Sequence, residues 1–164
     1  RVNVIPTAIY EYFVNGHIAD GSAGMRLALW HAAALIFWEN PLFGSGGGTY
    51  YGEKLKLIDA GLISSGAKMF TGPHSQLLNS LYEQGVVGAL MVYSIYVAFI
   101  LHCRSHLINN KALATSGILL AVGFIDFGIT EVIWDINNGG VFFTVMMALI
   151  AGNLSYEHGV RSEI

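Results

Sequence analysis

Long apolar stretches dominate the second half of the chain. Residues 84–103 and 136–156 contain no Asp, Glu, Lys or Arg, and each stretch reaches the roughly 20 residues that a helix needs to cross a bilayer. A third apolar stretch contains Asp126 as its one acid. The pattern predicts three transmembrane helices within residues 86–156, packed as antiparallel neighbours: about Val86 to Leu101, Ala112 to Thr130 and Gly140 to Tyr156.

The first half of the chain is more mixed. Ser22 is suited to cap a helix from about Ala23 to Trp38. Residues 27–38 carry no formal charge but are too few to span a membrane, so this helix is predicted to lie at the membrane interface or among other spans. The overall prediction is an all-α, polytopic membrane protein.

Proline and glycine signals divide the segment that follows. Pro41 ends the apolar helix, residues 44–48 form a flexible glycine turn, and residues 50–69 are predicted to be the most hydrated part of the chain. Pro73 suits the first position of a short helix. On that helix an apolar stripe should face the protein, while the polar residues Ser75, Gln76, Asn79 and Glu83 face elsewhere. The stripe consists of Leu77, Leu78, Leu81 and Tyr82.

Charge placement predicts the orientation of the spans. The connection after the first span carries Arg104 and Lys111, and the next carries Glu131 and Asp135. Because Lys and Arg are retained on the cytoplasmic side, the first connection is cytoplasmic and the second external. Residues 1–85 are then an external loop region with interfacial helices, in which residues 1–14 can be the end of a preceding span. Residues 157–164 form a cytoplasmic tail.

Composition excludes several classes of protein. Of the 164 residues 54% are hydrophobic and only 12% charged, about half the charged share of a soluble domain, which argues against a soluble enzyme. The net charge of −3 offers no basic surface for nucleic acid. The single cysteine, Cys103, excludes an internal disulfide and a multi-cysteine metal site.

Two residues are candidates for chemistry in the external region. His74, placed in the first turn of the short helix, would meet the positive helix end, which disfavours the imidazolium and suits a general base. Alternatively it is a capping or packing residue. Arg26 opens the apolar helix, and its planar fork suits a diphosphate. Alternatively it reaches the lipid headgroups.

Other polar features leave alternatives open. The glycine run could hold an anion with backbone amides, although a plain turn is favoured. Asp126 and Glu131 lie at or near a span, where acids are costly, and either serve function or pair with another residue. His102 and His106 have the helical spacing of metal ligands, but interface residues are the favoured interpretation.

Four segments, taken in order, resemble the O-antigen ligase and polymerase superfamily of bacterial envelope proteins. They are residues 24–30 (GMRLALW), 40–46 (NPLFGSG) with Tyr50 beyond, 74–88 (HSQLLNSLYEQGVVG) and 128–131 (GITE). The resemblance covers most of the chain and implies the C-terminal portion of a larger protein with a GT-C-like arrangement. A further arginine of the family's site would then lie upstream of Arg1.

The resemblance also implies an activity. Such proteins are multi-pass glycosyltransferases of the bacterial inner membrane, with a site facing the periplasm. They move a glycan from undecaprenyl diphosphate to an acceptor hydroxyl without a metal or nucleotide cofactor. His74 would be the catalytic base and Arg26 the ligand of the donor diphosphate. Secondary candidates within or beside the same segments are Trp30, Tyr50, Glu83 and Glu131.

The acceptor implied by the closest likeness is lipid A core, as for an O-antigen ligase. A polysaccharide polymerase or a protein O-oligosaccharyltransferase shares the donor and differs in the acceptor. From a different class, a lipid or glycan transporter subunit would use Asp126 and Glu131 along its path. A purely structural partner in an envelope complex would need none of these residues.

Overall fold

The regular structure of the chain is helical throughout the part described here. The structure is a computed structural model that describes residues 22–134 and 137–162. The predicted end of a preceding span at residues 1–14 lies outside these residues, as does Asp135. The helices are α1 (Ser22–Glu39), α2 (Tyr50–Asp59), a 3₁₀ helix (Ser65–Met69), α3 (Gln76–Ser105), α4 (Lys111–Phe127) and α5 (Asn137–Ser162).

Two compact units divide the chain between Ala89 and Leu90. In the first unit α1 is the central helix, and its small alanines allow α2 and the 3₁₀ helix to pack closely against it. The predicted helix from Ala23 to Trp38 is confirmed. The buried core of this unit consists of Ala28, Leu29, Ala32, Ala33, Ile36, Tyr50, Ile63, Ala67 and Tyr82.

The second unit packs the later part of α3 with α4 and α5 around aromatic side chains. Phe143 of α5 is fully buried, and its ring lies 4.9 Å from that of Tyr96. Trp134 Nε1 donates a hydrogen bond of 2.9 Å to the Tyr96 hydroxyl. A side chain at Gly117 would lie 2.5 Å from Cys103 Sγ, so glycine permits the close approach of α4 to α3.

Two of the described helices are long and apolar enough to cross a membrane. They are α3 and the segment Asn138–Tyr156 of α5, which agree with the first and third predicted spans. At 1.5 Å per residue, the 17 residues of α4 reach only about 25 Å, and α4 ends at Phe127 rather than Thr130. The second predicted span, from about Ala112 to Thr130, therefore stays a prediction.

Helix α3 joins two elements that the sequence analysis separated. The predicted short helix and the first predicted span form one run, broken at Gly85, where φ is 68° and ψ is −170°. The break frees the carbonyls that end the first limb and the amides that begin the second. Residues 41–46 supply partners for both.

Four backbone hydrogen bonds fix the loop to the break. Ser45 N donates to Tyr82 O (2.7 Å) and Gly46 N to Glu83 O (2.9 Å). In return Val86 N donates to Pro41 O (2.9 Å) and Val87 N to Leu42 O (3.2 Å). Within the predicted flexible turn at residues 44–48, the amides of Ser45 and Gly46 are therefore fixed to α3.

Glycine is required at the break itself. Gly85 has a positive φ, and a Cβ there would lie 2.3 Å from the carbonyl carbon of Leu42, so Gly85→Ala should lower the free energy of unfolding by more than about 1 kcal/mol. Gly52→Ala is the matched control, because its Cβ would meet open space in α2. It should be neutral or stabilise by roughly 0.5–1 kcal/mol. Thermal unfolding of the purified protein compares the two, and equal melting temperatures would contradict this account of the break.

Candidate active site

The sequence analysis predicts His74 in the first turn of a helix, but in the structure His74 lies before α3. The first helical residue is Gln76, and the carbonyl of Ser75 accepts from Asn79 N at 2.9 Å, as expected of the residue that precedes a helix. Pro73 is likewise outside the helix. The position near the positive end of α3 remains, but His74 is presented by an irregular backbone.

The backbone at His74 is in the left-handed region. Its φ is 48°, and it is the one non-glycine residue with positive φ in the described part of the chain. Such conformations cost of order 1 kcal/mol and concentrate at functional sites. The half-buried ring packs edge-on against Phe70, with centroids 5.8 Å apart. The turn thus holds the imidazole between the 3₁₀ helix and α3.

The polar face of α3 is buried, which reverses the predicted orientation. Of the predicted apolar stripe only Tyr82 is buried, whereas Leu77 is 46% exposed. Apolar side chains can face outward where the surroundings are lipid or interface, and polar ones then turn inward. The buried polar residues of this face are Ser75, Gln76, Asn79 and Ser80.

Glu83 is the centre of a hydrogen-bond network on that face. Asn79 Nδ2 donates to Glu83 Oε2 at 3.0 Å. The Tyr82 hydroxyl lies within donating distance of both Asn79 Oδ1 and Glu83 Oε1, at 3.0 Å from each. Gly48 N also donates to Glu83 Oε1, at 3.4 Å. The Gly48 amide of the glycine run is therefore already bonded to a carboxylate of the protein, which argues against an anion-binding site there.

Tyr50 links this network to α1. Its ring lies 5.0 Å from that of Tyr82, and its hydroxyl donates to Leu29 O at 2.8 Å. Trp30 follows Leu29, and its buried Nε1 has no hydrogen-bond partner within the described residues. The secondary candidates Tyr50 and Glu83 are thus both in contact with Tyr82. Trp30 is next in sequence to Leu29, whose carbonyl accepts the hydrogen bond from Tyr50.

Arg26 is half-buried near the start of α1. The described residues give it no hydrogen-bond or ion-pair partner, and its neighbours Met25 and Leu27 pack on the core of the first unit. Arg26 and His74 both lie in the first unit, and no hydrogen bond joins them. An unpaired guanidinium on a packed helix is a suitable group to meet an external anion.

Lys54 is a buried cation that the sequence analysis placed in the most hydrated segment. It is fully buried, and Nζ donates to the carbonyls of Ala67, at 2.7 Å, and Phe70. Nζ also lies 5.0 Å from the centre of the Tyr51 ring. Burial lowers the pKa of Lys54. Because Phe70 contacts the ring of His74, Lys54 fixes the segment that carries the neighbour of the candidate base.

The remaining sequence candidates lie in the second unit. Glu131 is half-buried in the turn after α4, where its amide donates to Phe127 O at 3.1 Å. Asp126 is exposed near the end of α4. The rings of His102 and His106 are tilted by 47°, with centroids 4.7 Å apart, but no group of three or more metal-binding side chains occurs among residues 22–134 and 137–162.

Over residues 22–134 and 137–162 the regular structure is helical, and two of these helices are long and apolar enough to cross a membrane. Residues 4–93 match the family model described as O-antigen ligase, which covers more than half of the chain, and the chain belongs to that family of membrane-associated enzymes. The matched region contains Arg26, His74 and the Glu83 network.

The chain is also similar to an uncharacterised protein of Haemophilus influenzae. The two are 25% identical over 155 residues, which cover 92% of this chain and 39% of the relative. The chain thus spans less than half of the relative's length.

Substitution of Lys54 tests its structural role. Lys54→Met removes the ammonium donor from the Phe70 carbonyl and leaves the Ala67 carbonyl with only the Phe70 amide, at 3.3 Å. An unsatisfied buried group costs about 1–3 kcal/mol, so the free energy of unfolding should fall. Lys56→Met is the matched control, because Lys56 is an exposed partner of Glu53 at 2.7 Å, and it should change stability little.

The pH dependence of the free energy of unfolding tests the burial of Lys54 separately. Since the folded pKa of Lys54 is lowered below 10.5, the unfolded chain binds more protons between the two pKa values. The stability of the wild type relative to Lys54→Met should therefore increase as pH rises through that window. Denaturant unfolding at several pH values measures this, and a difference that shrinks with rising pH would contradict it.

Proposed function

We propose that the protein transfers a glycan from a lipid diphosphate carrier to an acceptor hydroxyl, with His74 as general base and Arg26 as the ligand of the diphosphate. The observation that carries the proposal is the left-handed backbone at His74 (φ 48°), which presents an imidazole beside a buried polar face. Membership of the O-antigen ligase family supports it. The donor is undecaprenyl diphosphate-linked glycan.

The chemical step needs few groups. The acceptor oxygen attacks the anomeric carbon of the glycan as the bond from that carbon to the diphosphate oxygen breaks. The hydroxyl proton passes to the imidazole of His74, and the negative charge develops on the diphosphate. Arg26, which has no internal partner in the described structure, would stabilise that charge through paired hydrogen bonds.

The surrounding contacts hold the backbone that carries His74 and the helix that carries Arg26. His74 is held between Phe70 and α3, and Phe70 is held by Lys54. Tyr50 and Tyr82 connect α1, which carries Arg26, to the face of α3 that follows His74. Such pre-organisation lowers the barrier because the groups need not be ordered during the reaction.

The acceptor in this proposal is lipid A core, and the site faces the periplasm at the bacterial inner membrane. Arg104 at the end of α3 and Lys111 at the start of α4 support this orientation. An assay of the full-length protein with labelled donor and separate acceptors distinguishes the alternatives. Transfer only onto a second carrier-linked glycan would indicate a polymerase, and transfer only onto protein an O-oligosaccharyltransferase.

Two variants of His74 separate catalysis from backbone strain. Asn tolerates positive φ, so His74→Asn should preserve thermal stability while transfer falls about 100- to 10,000-fold through loss of the base. His74→Ala should lose transfer equally and also lose roughly 1 kcal/mol of stability. Rates and melting temperatures are measured on the same preparations, and wild-type transfer by His74→Asn would refute the assignment.

Substitution of Arg26 tests the diphosphate contact. Arg26→Ala should reduce transfer about 100- to 1,000-fold, and Arg26→Lys should recover only part of the rate because a point charge lacks the paired donors. Lys68→Ala removes an exposed cation of the same unit and should leave transfer unchanged. Equal rates for Arg26→Ala and Lys68→Ala would show that Arg26 does not bind the donor.

The alternative function, a transporter subunit, makes a different prediction. A transporter would tolerate the loss of Arg26 and His74, but not of Asp126.

A further inference from the structure

The last turn of α1 and the turn that follows it expose large apolar side chains. Trp38 is 72% exposed, Leu42 60% and Phe43 74%. A cluster of this kind on a protein surface usually marks contact with a membrane or another molecule. We propose that these three residues, the apolar wedge, insert into the lipid bilayer beside the start of the α3 span.

The backbone fixes the wedge to the span. The carbonyls of Pro41 and Leu42 accept from Val86 N and Val87 N, at 2.9 and 3.2 Å. A Cβ on Gly85 would lie 2.3 Å from the carbonyl group of Leu42, so the two backbones are in direct contact. The depth of the wedge in a membrane is therefore set by residues 85–87.

Those residues begin the uncharged stretch of α3. Residues 84–103 contain no Asp, Glu, Lys or Arg, and α3 is one of the two described helices able to cross a bilayer. Val86 and Val87 are themselves partly exposed. The wedge and the first turn of the span thus form one continuous apolar surface, which is what acyl chains would cover.

The polar residues of the turn fit the same placement. Glu39 and Asn40 are exposed between Trp38 and Pro41, where they would meet headgroups and water. Tryptophan is enriched at this depth because its ring is apolar and its N–H is polar. The partner is therefore a lipid surface. This inference does not depend on the proposed glycan transfer.

Site-directed spin labelling tests the wedge in the full-length protein. Cys103 is replaced by alanine, together with any other native cysteine, and a nitroxide is attached at Phe43→Cys in nanodiscs of phosphatidylethanolamine and phosphatidylglycerol. Lys56→Cys is the matched control on α2 of the same unit, where the side chain is 72% exposed. The nitroxide at position 43 should be relaxed by oxygen and protected from a water-soluble nickel chelate, and position 56 should show the reverse.

Two results would overturn the proposal. Equal access of the nickel chelate at positions 43 and 56 would place the wedge in water. Protection from both reagents at position 43 would show that protein covers it. If Phe43→Cys fails to fold, lipids brominated near the carbonyl end should still quench the wild type more than Trp38→Phe, and equal quenching would count against the wedge.

Discussion

The break of α3 at Gly85 is the constraint on which the first unit depends. A helix interrupted at this point exposes carbonyls and amides that are costly to leave unpaired in apolar surroundings. The loop from Pro41 to Gly46 satisfies them with four hydrogen bonds. The same contacts place Gly48 beside Glu83, so the loop that completes the helix also completes the polar network.

That network determines what α3 presents to the site. Asn79, Tyr82 and Glu83 are hydrogen-bonded to one another. Tyr50 connects them to α1, because its ring contacts Tyr82 and its hydroxyl donates to the Leu29 carbonyl. On the opposite side of His74, Lys54 holds the carbonyls that end the 3₁₀ helix. Both ends of the short segment that carries His74 are therefore anchored by buried polar groups, which supports its assignment as the reactive residue.

Several elements could be predicted from the sequence because a local signal specifies them. Helix α1 follows from its apolar run and Pro41, and the first and third spans follow from the absence of charge. The resemblance to the O-antigen ligase superfamily, confirmed by the family model over residues 4–93, came from short ordered segments. The candidates His74, Arg26, Tyr50 and Glu83 all lie in the first unit.

Other features depend on contacts that the sequence does not show. The burial of Lys54 requires two carbonyls separated from it by 13 and 16 positions. The inward polar face of α3 did have a signal, since Gln76, Asn79, Ser80 and Glu83 recur at helical spacing. The rule for soluble helices assigns Gln76, Asn79 and Glu83 to the outer face, and that rule reverses where lipid surrounds a protein. The left-handed turn at His74 had no comparable signal.

Chemical rescue would test the central claim, that the imidazole held by this turn removes the acceptor proton. His74→Gly accepts the positive φ and leaves space for a small base. The account predicts that His74→Gly loses glycan transfer and that added imidazole restores it in proportion to the neutral form. Undiminished transfer by His74→Gly without imidazole would contradict the account.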